Sequence, residues 1–234
     1  MVKKASNKRL VAQAPSPAPK AIPFPRLSEK SHIRCHTFLE DQILLLSDVL
    51  TPSECRTFVD FIDSQPLELT PPKKRGEADR VNYRISISSP EFAGRLWTIL
   101  HPHLPSFPYP ASMKQPDLSA RAAHSLNSNI RLYKYTPSQH FNPHYDDSTR
   151  DAKTGAVSEW TLLIYLTGVE DAVQGGETIF YPNSKAKASE SLVAPLTRGT
   201  ALLHRHGNEC LLHEGSQVRN GTKYVLRSDV MFLN

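Results

Sequence analysis

The spacing of apolar positions changes character part-way along this chain. Over Thr51–Asp63 apolar residues recur at helical spacing, with Cys55, Phe58, Val59 and Ile62 on one side. Thr51-Pro52-Ser53-Glu54 has the form of a helix start: a hydroxyl cap, a proline in the first turn, and a glutamate able to reach back to the cap. Pro66 ends that helix. A second helix is predicted after Ser89-Pro90-Glu91, with Phe92, Leu96, Ile99 and Leu100 on one side. Pro102, Pro105, Pro108 and Pro110 then make a rigid connection.

From Asn129 the helical period gives way to short runs rich in β-branched and aromatic residues. These are Ile130–Tyr135, Thr161–Leu166, Glu177–Tyr181, Ala201–His204, Leu211–Val218 and Lys223–Phe232. Turn signals separate them, among them Gly175-Gly176, Pro182-Asn183, Arg198-Gly199 and Asn220-Gly221. No helical pattern intervenes, which argues against a parallel sheet wound with helices. The expected fold is mainly β with flanking helices: a jelly-roll or barrel core with the N-terminal helices packed on one face. Asn183–Ser191 reads as an exposed loop.

Composition divides the chain further. Residues 1–30 hold five prolines and seven Lys/Arg against one acid, so they read as a disordered basic leader. The remainder, 31–234, is expected to be a single domain, with 31–128 as helical support and substrate side and 129–234 as the β core. The whole chain carries a net charge of +5, yet residues 31–234 hold 21 basic and 22 acidic groups, so the excess sits on the leader. Such a leader could touch nucleic acid or an import receptor, or be a solvated extension. No apolar run is long enough to span a bilayer and no signal peptide is evident. Cys35, Cys55 and Cys210 are odd in number and form no C-x-x-C pair. A reducing compartment, cytoplasmic or nuclear, is therefore expected.

The candidate chemistry centres on His144-Tyr145-Asp146. Residues two apart on a strand face the same side, so this imidazole and carboxylate can converge on one metal ion. Roughly one H-x-[DE] arises by chance in such a composition, so the tripeptide alone is weak. His213, within the apolar run Cys210-Leu211-Leu212-His213, supplies a third ligand on a distant strand. Two imidazoles and one carboxylate make the facial triad of non-haem Fe(II) oxygenases, with positions left open. Lys223 follows ten residues after His213, a cation suited to a dicarboxylate cosubstrate. His140, His204 and His206 are expected to support the site or the core rather than bind metal, and Asp147 to face away. Arg84 and Asn82 share strand parity in Arg80–Arg84 and are candidates for the substrate side, although a plain edge strand fits the same pattern.

These blocks, in order, resemble the prolyl 4-hydroxylase-like branch of the Fe(II)/2-oxoglutarate-dependent oxygenases. The resemblance runs from Asn129 to Phe232: Tyr135…Phe141-Asn142-Pro143-His144-Tyr145-Asp146, Thr161–Leu166, Gly175–Phe180, Pro195…Gly199–His204 and His213…Gly221-Thr222-Lys223. It implies a double-stranded β-helix with iron held by His144, Asp146 and His213. It also implies that Lys223 and Tyr165 bind the distal carboxylate of 2-oxoglutarate, with Tyr135 at the mouth of the site. The implied reaction hydroxylates an unactivated C–H bond, foremost of a prolyl residue in a protein or peptide. It consumes O2 and 2-oxoglutarate, releases succinate and CO2, and draws on ascorbate to keep iron reduced. Where the family often carries a tryptophan, the last strand reads Tyr224-Val225-Leu226-Arg227-Ser228-Asp229, and Arg227 is a rival to Lys223 as the cosubstrate cation. The peptide-binding modules and secretory signal of the collagen-modifying members are missing, so their substrate is not implied. The same iron chemistry on nucleic acid or a small molecule, or an inactive binding module on this fold, are the alternatives.

Overall fold

The structure is a computed structural model that describes residues 22–111, 113, 120–182 and 190–233. Its main elements in chain order are β1 (Arg34–Leu39), β2 (Ile43–Ser47), α1 (Pro52–Asp63), β3 (Arg80–Val81), β4 (Tyr83–Ser88), α2 (Pro90–Leu100), β5 (Asn129–Tyr135), β6 (His140–His144), β7 (Val157–Tyr165), β8 (Thr178–Tyr181), β9 (Ala201–Arg205), β10 (Leu212–Gly215) and β11 (Lys223–Phe232). Both predicted helices form where their caps place them. Thr51 accepts from the amide of Glu54 at 3.2 Å, and the Glu54 carboxylate accepts from the amide of Thr51 at 2.8 Å. Ser89 caps α2 by accepting from the amide of Phe92 at 3.3 Å.

The strands form two antiparallel sheets. The larger runs β1-β2-β9-β7-β11-β5-β4 and ends in the short strand Glu68–Leu69. The smaller runs from Leu192–Val193 through β8, β10 and β6 to β3. This is the jelly-roll core expected from the sequence, and the helices lie on one face of the larger sheet. Alternation within the strands explains the layering. On β11, Tyr224, Leu226, Val230 and Phe232 join a core with Phe58, Ile62, Phe92 and Leu96 of the helices. Val225 turns the other way, into a second core with Tyr133, Tyr165 and Phe180 between the sheets. Every residue of β11 is therefore buried.

The N-terminal part contributes more than helices. β1, β2 and β4 lie in the same sheet as β7, β9 and β11, so segments on both sides of residue 129 build one surface. The run expected as one strand over Leu211–Val218 is broken into β10 and Val218–Asn220, which pairs with Gln174–Gly175. The expected disordered leader needs correction at its end. Residues 1–21 lie outside the described residues, but Phe24 is buried, stacked on Phe92 at 4.3 Å and tilted against Phe61 at 5.1 Å. Lys30 donates to Glu54 at 2.7 Å, and this contact and others hold the Glu54 carboxyl at about 2 although its burial acts in the opposite direction. One aromatic ring with a place in the core is enough to fix the segment around it. The loop predicted at Asn183–Ser191 lies outside the described residues over 183–189. Among the described residues no helix is long and apolar enough to cross a membrane.

Candidate metal centre and cosubstrate pocket

His144 and His213 are direct cross-strand partners on β6 and β10, so their rings share one face of the smaller sheet. Their centroids stand 4.3 Å apart. Asp146 completes the group, though not by the strand alternation expected for it, because β6 stops at His144. It is held from outside: its carbonyl accepts from the amide of Gly207 at 2.8 Å, and its amide donates to Cys210 Sγ at 3.3 Å. The result is still convergence. Asp146 Oδ1 lies 3.8 Å from His144 Nε2, and Oδ2 lies 3.8 Å from His213 Nε2.

The tautomers favour metal binding. His144 Nδ1 donates to the Asn142 carbonyl at 2.9 Å and His213 Nδ1 to that of Leu211 at 3.0 Å. Each Nε2 is thereby left with a lone pair directed at the cluster. Burial, reinforced by His213, pushes His144 down to about 3, and burial also lowers His213. Asp146 is held well below the usual carboxylate range. Its burial works against ionisation, but Arg227, His213 and His204 outweigh it. One donor atom from each of the three residues lies within 4.8 Å of the others. Bonds of roughly 2.1 Å need ligand atoms about 3 Å apart in a facial arrangement, so a small inward movement suffices. Neutral imidazoles, an ionised carboxylate and this spacing fit a ferrous ion.

Beside the cluster lies a cavity of about 50 Å³, and Lys223 is among the residues that line it. Lys223 is 5% exposed, and its ammonium lies 5.4 Å from the Tyr135 ring centre and 5.5 Å from that of Tyr165. It donates to the carbonyl of Gly176. That glycine adopts φ +77°, and a Cβ there would meet Lys223 Cδ at 3.1 Å. No carboxylate makes an ion pair with Lys223 among the described residues, and burial lowers it to about 8, with Glu177 offsetting part of the effect. A buried cation without a counter-ion is unfavourable until an anion arrives.

Arg227, its expected rival, is already engaged. It donates to Asp146 Oδ1 at 3.0 Å and to Asp229 Oδ1 at 3.3 Å. Tyr165 is set back: its hydroxyl is 2.7 Å from that of Thr178, and Thr178 rather than Tyr165 lines the cavity. Tyr135 sits deep beside Lys223 rather than at the mouth. At the mouth stands Arg80, its guanidinium 4.5 Å from the ring centres of both Tyr133 and Phe141. Asn82 is fully buried, accepting from Arg80 Nε at 2.7 Å and donating to the Tyr83 carbonyl at 2.8 Å. It therefore steadies Arg80 and does not face the substrate side. The two do not share an outward face because Asn82 lies in the break between β3 and β4. Arg84 does line the wide cleft outside, together with Lys73, Lys74 and Arg131.

The remaining histidines separate by environment. His140 lies 3.3 Å from Asp79, away from the triad. His206 contacts Thr161 and Ser158, each at 2.9 Å, and Thr161 donates to Asp146 Oδ2 at 2.9 Å. His204 stands closest, with Nε2 3.7 Å from Asp146 Oδ2. Asp147 is exposed, as expected. Arg80, Tyr133, Phe141 and Thr178 were not singled out from sequence. The Arg80–Arg84 alternation is the one available signal: it points to Arg84, which lines the outer cleft, and to Asn82, which is buried, and passes over Arg80.

Residues 130–228 match the profile of the 2OG-Fe(II) oxygenase superfamily, and that span contains the triad and Lys223. Over that stretch, which is less than half of its length, the chain is similar to this superfamily. The chain also shares its fold with solved structures at low identity. A viral collagen prolyl hydroxylase from Paramecium Bursaria Chlorella virus-1, in complex with 2OG, superposes with a TM-score of 0.54 at 16% identity, over 82% of this chain and 97% of the other. A prolyl hydroxylase from Trichoplax adhaerens, bound to a hypoxia inducible factor peptide fragment, gives 0.53 at 16% identity over 82% and 84%. A protein named OsALKBH1 gives 0.52 at 11% identity over 83% and 98%. No curated protein sequence matches the chain.

Proposed function

We propose that this oxygenase hydroxylates a prolyl residue in a protein or peptide. The observation that carries its cosubstrate chemistry is the buried, anion-free Lys223 across the cavity from His144, Asp146 and His213. In this reading the three residues hold Fe(II), which supplies oxidative cleavage of 2-oxoglutarate by O2 and hydroxylation of a C–H bond. Lys223 binds the distal carboxylate as an ion pair, and Thr178, with Tyr165 behind it, offers that end a hydroxyl. Leu163 and Val225 line the cavity and keep its wall apolar. Arg227 and Thr161 fix both oxygens of Asp146, which orients the carboxylate before any ligand arrives.

A peptide substrate is supported by the cleft outside the cavity, which is wide and reaches His144 and Tyr145. It is also supported by the two prolyl hydroxylases among the structures that share its fold. Lys73, Lys74 and Arg84 are exposed along that cleft, which suits acidic residues flanking the target. The same cations favour a second reading, oxidation of a nucleic acid through phosphate contacts. Unpaired thiols at Cys35, Cys55 and Cys210 accord with work in a reducing compartment, cytoplasmic or nuclear. The test supplies Fe(II), 2-oxoglutarate and ascorbate with proline-containing peptides, acidic and neutral, beside single- and double-stranded oligonucleotides. Peptide-stimulated succinate release with gain of one oxygen atom on proline supports the proposal. Stimulation by oligonucleotides alone replaces it with the second reading.

A further inference from the structure

More acceptors surround Asp146 than the triad requires. His204 lies on β9 opposite Thr161 of β7, is 2% exposed, and presents Nε2 to Asp146 Oδ2 at 3.7 Å. Its Nδ1 donates to the Arg205 carbonyl at 3.1 Å, so Nε2 carries a lone pair. That nitrogen is buried and without a hydrogen-bond partner. A lone pair facing a carboxylate oxygen in a dry interior is repulsive unless a cation lies between them. Cys210 stands on the same side. Its Sγ is 3.8 Å from His213 Nδ1 and accepts from the amide of Asp146 at 3.3 Å. One donor atom from each of His204, Cys210 and His213 lies within 4.8 Å of the others, the same span as the triad.

We propose that His204, Cys210 and His213 form a second metal site for a thiophilic divalent cation such as Zn²⁺, overlapping the iron site. The inference rests on reading His144, Asp146 and His213 as that iron site. The two sets share His213, so occupation of one excludes the other. Their chemistry differs. The triad through His144 offers only nitrogen and oxygen and keeps positions open. The set through Cys210 offers sulfur and two nitrogens, donor types that zinc takes. Binding there releases the thiol proton to solvent as the thiolate joins the metal, with no change in oxidation state. Zinc so bound takes His213 from iron, so it inhibits by occupying the alternative set rather than by replacing iron in the triad.

The full chain, freed of metal, tests this with Co²⁺ as the spectroscopic probe, Zn²⁺ as competitor and Mn²⁺ in place of iron. The unaltered protein with Co²⁺ should show a near-ultraviolet thiolate-to-cobalt band that Zn²⁺ erases. Cys210→Ser should abolish the band, and both it and His204→Phe should weaken Zn²⁺ by more than the roughly 10–100-fold that loss of an outer partner costs. His144→Ala should keep the band and lose Mn²⁺ affinity. Absence of the band from the unaltered protein overturns the proposal, as does Zn²⁺ affinity unmoved by both substitutions. The band needs no catalysis: its presence without 2-oxoglutarate turnover sinks the oxygenase reading alone, and turnover without it sinks the second site alone.

Discussion

Arg227 donates through Nη1 to Oδ1 of Asp146 at 3.0 Å, so the carboxylate read as an iron ligand is already paired with a buried cation. Arg227 also pairs with Asp229, so one buried guanidinium bridges two carboxylates. Removing one partner of a buried pair costs about 3–5 kcal/mol because the other is left uncompensated. Arg227→Met should therefore lower the unfolding free energy in urea by that order and weaken Mn²⁺ binding measured by calorimetry. An unchanged midpoint and unchanged Mn²⁺ affinity would contradict the coupling.

Lys223 gives a pH dependence with a definite sign. In the ligand-free protein burial lowers it from 10.5 to about 8. Between those values the folded chain binds fewer protons than the unfolded one, so Lys223 makes stability rise with pH across that window. Cosubstrate binding runs the other way, since the dianion needs the ammonium. The KM for 2-oxoglutarate should climb as pH passes about 8, approaching about tenfold per pH unit. Lys223→Arg keeps the charge and should flatten that climb, as initial-rate kinetics at fixed iron would show.

The cleft wall makes a separate claim. Arg84 is exposed on it. Arg84→Glu should raise the KM for an acidic proline-containing peptide and reduce its dependence on salt, as expected where exposed charges steer association. Equal KM values at low and high ionic strength for the unaltered enzyme would remove the acidic flank from the substrate description.

Phe24 tests whether the segment before β1 belongs to the folded body. Its ring is 6% exposed between Phe92 and Phe61. Truncating a buried phenylalanine costs about 3–5 kcal/mol, so Phe24→Ala should lower the thermal midpoint markedly. A shift within experimental error would make the stacking incidental.

The parts legible in the sequence were those whose local pattern coincides with their tertiary role. Lys223 and Arg227 sit four apart on a long apolar strand, and the structure puts both on the cavity side. Thr51 and Ser89 marked helix starts because capping is a local interaction. Asp146 joins the cluster by a route other than the expected one, since the loop contacts at Gly207 and Cys210 do what strand alternation is expected to do. What stayed hidden depends on which side of the molecule a residue meets. β1 and β2 pair beside β9, a neighbour more than 150 positions later. Asn82 and Arg84 have equal parity, yet a break between two short strands buries one and exposes the other. Thr178 precedes an apolar run like any strand residue, and only the approach of Tyr165 from the other sheet gives it a role.

The strand that carries Lys223 and Arg227 is covered on both faces, whereas Asp146 lies just past the end of β6. Amide hydrogens of β11 should thus exchange with solvent only when the whole domain opens, while those around Asp146 report smaller excursions. The hydrogen bond from Arg227 ties the slower element to the faster one. Metal loading should appear in exchange experiments as quieting of residues 145–149 and of the Gly207–Cys210 segment, with β11 already silent.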